Sequence, residues 1–280
     1  MTIRIITDSA SELTNEESKN LTVLPISVTF GETEYQDGVN LTKREFYEKL
    51  IESDELPTTS QVPPFAFSQA IKESLDAKET PIVITMSSKL SGTYNCAQIA
   101  CAEYGEKVYL IDSLNVCLGQ KILVQYALRL IEQGCEAPAI VQKVEEKKSQ
   151  ICVIALLNTL EYLRRGGRIS NLSGMVGEVL AIKPVVSVED GTVVVLGKAR
   201  GSRKGNNLLT EQISKHGGID FSLPVALGYS GLDDTLLQKY IADHADDWQE
   251  YIDHLPIDII GFTIGTHVGP GGIAVAFFHK

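Results

Sequence analysis

Residue types suited to gripping an anion gather in two stretches far apart in the chain. Ser87-Ser88-Lys89-Leu90-Ser91-Gly92-Thr93-Tyr94 packs hydroxyls and a glycine where an apolar run gives way to helical spacing. Gly265-Thr266-His267-Val268-Gly269-Pro270-Gly271-Gly272 sets one histidine among glycines. Glycine lets the main chain approach a ligand closely, and the N–H groups opening a helix carry partial positive charge. Such segments suit a small negatively charged group. Thr7-Asp8-Ser9 and Thr58-Thr59-Ser60-Gln61 add two further hydroxyl-rich stretches that follow strand-like runs. In an open parallel sheet, ligands bind beyond the C-terminal strand ends, where strand-to-helix loops lie. Any single hydroxyl of this kind serves equally well as a helix N-cap. Three such loops together favour a shared site.

The main basic cluster is Arg164-Arg165-Gly166-Gly167-Arg168-Ile169-Ser170. Consecutive arginines at a helix end offset its dipole, whereas Arg168, after two glycines, is better set to point into a cleft. Lys198, Arg200, Arg203 and Lys204 form a second basic group, read either as a docking patch for a partner or phosphate-bearing molecule, or as a solvated face. Neither a G-x-x-x-x-G-K-[ST] loop nor a G-x-G-x-x-G turn is present, and Gly228-Tyr229-Ser230-Gly231 has the wrong spacing for a nucleophile elbow. No paired His or Cys ligands stand at zinc spacing. His267 beside hydroxyl-rich loops leaves one catalytic alternative open, an enzyme acting on a small acyl or phosphorylated substrate.

Positioning these residues requires a scaffold, and the hydrophobic pattern supplies one. Residues 3–6, a stretch within 21–30, 81–86, 108–112 and 151–156 read as strands. Between them, 43–53, 65–75, 93–104, 119–133 and 138–148 carry helical spacing, and Thr14-Asn15-Glu16-Glu17 offers a capping box for a polar helix after the first strand. Residues 31–38 read as a turn-rich excursion. Alternation of this kind indicates βαβ units and a mainly parallel sheet. Beyond residue 157 the pattern changes. Asp190-Gly191 marks a hairpin between 185–188 and 192–198, helices are expected at 160–165, 208–215 and 235–245, and strands at 225–229, 257–264 and 273–278. The expected architecture is an N-terminal α/β domain at 1–156 and a mixed α+β domain at 157–280.

Composition narrows the partners. A chain of 280 residues buries about three quarters of its unfolded surface, so a substantial core is expected. A net charge of −11 argues against nucleic acid, whose phosphates need a local excess of Lys and Arg. The 5 cysteines show no CxxC pair and fit reduced thiols. No signal peptide is visible and no apolar run approaches the roughly 20 residues of a membrane span, so a cytoplasmic location is expected.

Taken in order, Thr7-Asp8-Ser9, Thr58-Thr59-Ser60-Gln61, residues 87–94, Asp112-Ser113, residues 163–170, Lys183-Pro184 and residues 265–271 resemble the DegV family over nearly the whole chain. These are bacterial fatty-acid-binding proteins that serve as the lipid-carrying subunit of fatty acid kinase. The resemblance implies one long-chain fatty acid in an apolar tunnel between the two domains, with no other cofactor. It implies that Thr59 or Ser60, Ser91 and Gly92 contact the carboxylate, with Arg168 and His267 nearby. It also implies an ATP-dependent kinase partner that phosphorylates the carboxylate to an acyl phosphate for phospholipid synthesis, the carrier alone having no catalysis; the basic group at Arg200 and Arg203 is the expected docking patch for a partner. Val62, where the family usually has proline, and Gly272, where alanine is commoner, depart from its pattern.

Overall fold

A computed structural model of the chain describes residues 2–169, 182–248 and 254–280. Four strands, β1 (Thr2–Asp8), β2 (Leu21–Leu24), β6 (Glu79–Thr85) and β7 (Tyr109–Asp112), form an all-parallel sheet in the order β2-β1-β6-β7. Successive residues Ile5 and Ile6, and Ile82, Val83 and Ile84, are all fully buried. Neighbours along a strand point to opposite faces, so both faces of this sheet are covered. The helices α2 (Pro64–Asp76) and α3 (Thr93–Ala102) pack on it together, as do α4 (Leu118–Glu132) and α5 (Ala137–Lys147).

A second, six-stranded sheet holds β8 (Ile151–Leu156), β9 (Ile182–Glu189), β10 (Thr192–Arg200), β11 (Ala226–Ser230), β12 (Ile257–Ile259) and β13 (Gly272–Phe278), in the order β10-β9-β8-β13-β11-β12. Only β11 and β12 run parallel; the other pairs are antiparallel. The helix α7 (Ser202–Lys215) packs on β8, β9 and β10, and α8 (Thr235–Asp243) and α9 (Ala245–Trp248) bring Tyr240 and Trp248 into the same core. α4 touches β1 of the first sheet and β8, β11 and β13 of the second. One apolar core therefore runs from Ile5 through Leu118 and Ile122 to Ala226 and Phe278. The expected combination of a parallel sheet and a mixed second sheet is the one observed. The strand at 151–156, on the first-domain side of the expected boundary, hydrogen-bonds to β13 and β9 in the second sheet.

Local expectations differ from the structure in three places. Residues 14–17 form a turn rather than a helix: Thr14 N–H donates to Glu17 Oε1 at 3.1 Å, half of a capping box, but Glu16-Glu17-Ser18-Lys19-Asn20 offers no apolar face to bury. A full capping box occurs instead at Thr42 and Glu45, opening α1 (Lys43–Glu52). The excursion at 31–38 contains β4 (Thr33–Gln36), which with β3 (Ser27–Phe30) and β5 (Thr58–Ser60) makes a three-stranded antiparallel sheet. Its largely exposed, polar residues hide it from hydrophobic patterning. Residues 257–264 are not one strand: β12 stops at Ile259, and α10 (Phe262–Val268) follows, facing α6 (Glu161–Arg165) and α1.

That last switch has a long-range cause. Lys121 Nζ pairs with Asp258 at 2.8 Å, and Lys43 Nζ donates to the Ile259 carbonyl at 2.6 Å. Tyr47 Oη donates to the Ile260 carbonyl at 3.0 Å, and Gly261 N–H donates to Glu12 Oε2 at 2.7 Å. Asp37 accepts from Phe262 N–H at 3.1 Å, Thr263 N–H at 3.0 Å and Thr263 Oγ1 at 2.7 Å. The Phe46 and Phe262 rings stack above this grip at 5.0 Å. Buried carboxylates are tolerated because each accepts several hydrogen bonds, and Lys43 lies 3.1 Å from Glu12.

Burial raises the Glu12 carboxyl from 4.5 to about 7, against the pull of Lys43. Folded Glu12 thus keeps its proton where the unfolded chain has lost it. Its contribution to stability is fully present below about 4.5 and is lost as pH rises through about 7. Urea denaturation of wild type and Glu12→Gln at matched pH should show wild type losing relative stability across that window, by up to about 3 kcal/mol. A relative gain with rising pH would contradict the assignment.

Candidate functional site

A cavity of about 380 Å³ opens between β5, the loop after β6, the end of α6, β10 and α10. Thr59, Ser60, Ser91, Gly92, Arg168 and His267, the six residues singled out from the sequence, all line it. Gln61, Thr263 and Ile264 line it too. Gln61 stands inside the Thr58-Thr59-Ser60-Gln61 run, so its signal was present. Thr263 and Ile264 were hidden by the reading of 257–264 as a strand.

The loop carrying Ser91 is built by anchors on three neighbouring segments. Asp8 Oδ2 accepts from Met86 N–H at 2.8 Å, and Asp112 Oδ1 from Ser88 N–H at 3.2 Å. Ser87 N–H donates to the Asn115 carbonyl at 2.8 Å, and Ser87 Oγ to the Gly191 carbonyl at 2.7 Å. Ser91 Oγ then accepts from Thr93 N–H at 3.2 Å and lies 3.0 Å from Thr93 Oγ1. A Cβ on Gly92 would lie 2.0 Å from Gln61 Oε1, so a larger residue there would push the Gln61 amide out of its present position. Thr7-Asp8-Ser9 plays a different part from the one its hydroxyls suggest. It is buried, with Thr7 Oγ1 donating to the Ile84 carbonyl and Asp8 capping the 3-10 turn at Ser9–Ser11. Its role is to hold the Ser91 loop, and it does not line the cavity.

His267 enters from the last turn of α10. Its Nε2 lies 3.0 Å from Thr59 Oγ1, while its Nδ1 is buried without a hydrogen-bond partner among the described residues. A Cβ on Gly166 would lie 2.3 Å from that Nδ1, so the glycine after α6 makes room for the ring. Burial first, and the charge of Arg168 second, push His267 down from 6.5 to about 4. The imidazole is therefore neutral at pH 7. Arg168 Nε donates to the Leu90 carbonyl at 3.3 Å and its other arm to the Gly166 carbonyl, which ties the arginine to both rims.

Among the described lining residues, Arg168 is the one cationic side chain, and none is a carboxylate. Hydroxyls of Thr59, Ser60 and Ser91, the Gln61 amide and the guanidinium together form a donor-rich mouth. Inward, Val116, Leu163, Val193, Ile264 and Val268 also wall a second cavity of about 80 Å³. That cavity runs along the face of β8, β9 and β13 and is apolar nearly throughout. Water needs two to four polar partners to sit in such a space, so its walls suit hydrocarbon instead. Arg200 and Arg203 line neither cavity and are exposed, at the end of β10 and the start of α7. Ser170 lies outside the described residues. Among the described residues, no group of three or more His, Cys, Asp or Glu side chains is placed to hold a metal ion, and no helix is long and apolar enough to cross a membrane.

Fold and cavity together describe a three-sheet α/β chain with an anion-suited mouth over an apolar channel. The chain belongs to the DegV family: a family model described as "Uncharacterised protein, DegV family" matches residues 2–280. A DegV domain-containing protein of Deinococcus radiodurans is 34% identical over 282 residues, covering 99% of this chain and 98% of its own. Among solved structures, a fatty-acid-binding DegV family protein from Thermus thermophilus is 28% identical with a TM-score of 0.85, over 99% of this chain and 100% of that one. A stearic-acid-binding protein from Eubacterium ventriosum is 25% identical with a TM-score of 0.86, over 100% of this chain and 99% of that one.

Nitrogen NMR of ring-labelled protein without ligand should find His267 neutral down to pH 5, with a midpoint near 4. An ordinary midpoint near 6.5 would show that the ring is solvated and far from Arg168.

Proposed function

We propose that the chain binds one long-chain fatty acid, with its carboxylate among Thr59, Ser60, Ser91, Gly92, Arg168 and His267 and its tail in the apolar cavity. One observation carries this reading: the donor-rich mouth and the apolar cavity share walls, so a single amphipathic molecule fits both. The related structures that bind fatty acids support it. A tail of about 16 carbons supplies on the order of 10 kcal/mol gross from burial of its methylenes. Much of that is offset by the entropy of association and of ordering the chain. A carboxylate left unpaired in the mouth costs several kcal/mol, and hydroxyl and guanidinium donors offset that cost. Tail burial sets affinity; the donors set which end faces outward.

A head group at the mouth suits transfer chemistry performed by another protein. On this reading an ATP-dependent kinase in the cytoplasm docks near exposed Arg200 and Arg203 and phosphorylates the presented carboxylate to an acyl phosphate. The chain itself then needs no catalytic residues. The Thr59–His267 distance of 3.0 Å does match that of a nucleophile and its base. A working base, however, is oriented by a third group on its other nitrogen, and His267 Nδ1 has no such partner among the described residues.

Mass spectrometry of gently purified protein should find a fatty acid bound one to one. Ser91→Ala should weaken its affinity by roughly 1–3 kcal/mol, through loss of one charge-assisted hydrogen bond. Protein that carries no fatty acid and takes up none when offered would sink the reading.

A further inference from the structure

Residues 258–263 are gripped one after another by side chains from the first half of the chain, and α10 starts inside that grip. Asp37 carries the last part of it, accepting three hydrogen bonds from Phe262 and Thr263 while itself buried at 6% exposure. The helix that follows has 7 residues and ends with His267 in its final turn. His267 follows Thr263 by four positions, about 6 Å along a helix, so the first turn and the ring move as one piece.

A metal-ligating or catalytic histidine is commonly aimed by a hydrogen bond on its second ring nitrogen. His267 lacks one among the described residues: Nε2 meets Thr59, and Nδ1 meets only the space that Gly166 leaves. The ring's direction must then come from where α10 puts its backbone. We infer that Asp37 is a positioning residue for the anion site. By fixing the first turn of α10, it sets the distance between His267 and Thr59 and so the geometry of the carboxylate subsite. This rests on the fatty-acid reading above. Asp37 does not line the cavity, so its influence on a ligand passes through the helix.

The test compares palmitic acid with hexadecan-1-ol, which keeps the tail and lacks the charge, in wild type and Asp37→Asn. In the variant, palmitic acid should bind about tenfold more weakly, hexadecan-1-ol should change less than twofold, and the ring nitrogen signals of His267 should shift. Unchanged palmitic acid affinity, or equal losses for both ligands, would overturn the inference by reducing Asp37 to a purely structural role. If Asp37→Asn does not fold, Tyr47→Phe removes the hydrogen bond to the Ile260 carbonyl while leaving both buried carboxyls in place, and should give a smaller loss, about threefold, again confined to the acid. Wild type that binds neither ligand would overturn the fatty-acid reading itself, and the positioning role with it.

Discussion

Burying Glu12 and Asp37 to grip the backbone at 261–263 is the constraint on which the rest of the structure turns. An ionised or protonated carboxyl is costly to dehydrate, and it is retained inside a protein only where several donors converge on it. Here those donors are the N–H groups of Gly261, Phe262 and Thr263, with Lys43 beside Glu12. The contacts fall on backbone atoms, so they specify where the chain runs and little about which side chains it carries there. Remove that convergence and β12 has no reason to end at Ile259. α10 then loses its starting point, and the cavity loses the wall that contributes Thr263, Ile264, His267 and Val268.

The same helix serves both ends of the site. His267 and Thr263 face the donor-rich mouth, while Ile264 and Val268 belong to the mouth and the apolar cavity alike. Among the described lining residues, a neutral imidazole and one guanidinium suit a single negative charge, with no carboxylate beside them. The apolar cavity beyond it is lined almost wholly by hydrocarbon. On the proposed function, head-group recognition and tail burial are thus joined along one short element whose position is dictated from elsewhere in the chain.

Much of this was legible in the sequence, for identifiable reasons. The parallel strands read clearly because buried runs such as Ile82-Val83-Ile84 are apolar at every position, and the hydroxyl clusters stood where strands end. All six candidate residues converge on one cavity because their positions relative to strand ends and glycines reflect local geometry. What stayed hidden depended on distant partners. Nothing near Phe262 announces a helix, since its capping carboxylate is Asp37, 225 positions away. The Thr7-Asp8-Ser9 run looked like a binding loop, yet its donors and acceptors are spent on Ile84, Met86 and Ala10. The wall of the apolar cavity was unreadable because β8 joins the second sheet, a pairing that its apolar sequence alone does not choose.

The central claim is a directional one: charge at the opening, hydrocarbon sealed within. Palmitate labelled with carbon-13 at C1 and at the terminal methyl, bound to the protein and exposed to a water-soluble paramagnetic relaxant, tests it most directly. The account predicts strong protection of the methyl signal and clear relaxation of the carboxylate signal. Equal relaxation at both ends, or a protected carboxylate with an exposed methyl, would contradict it.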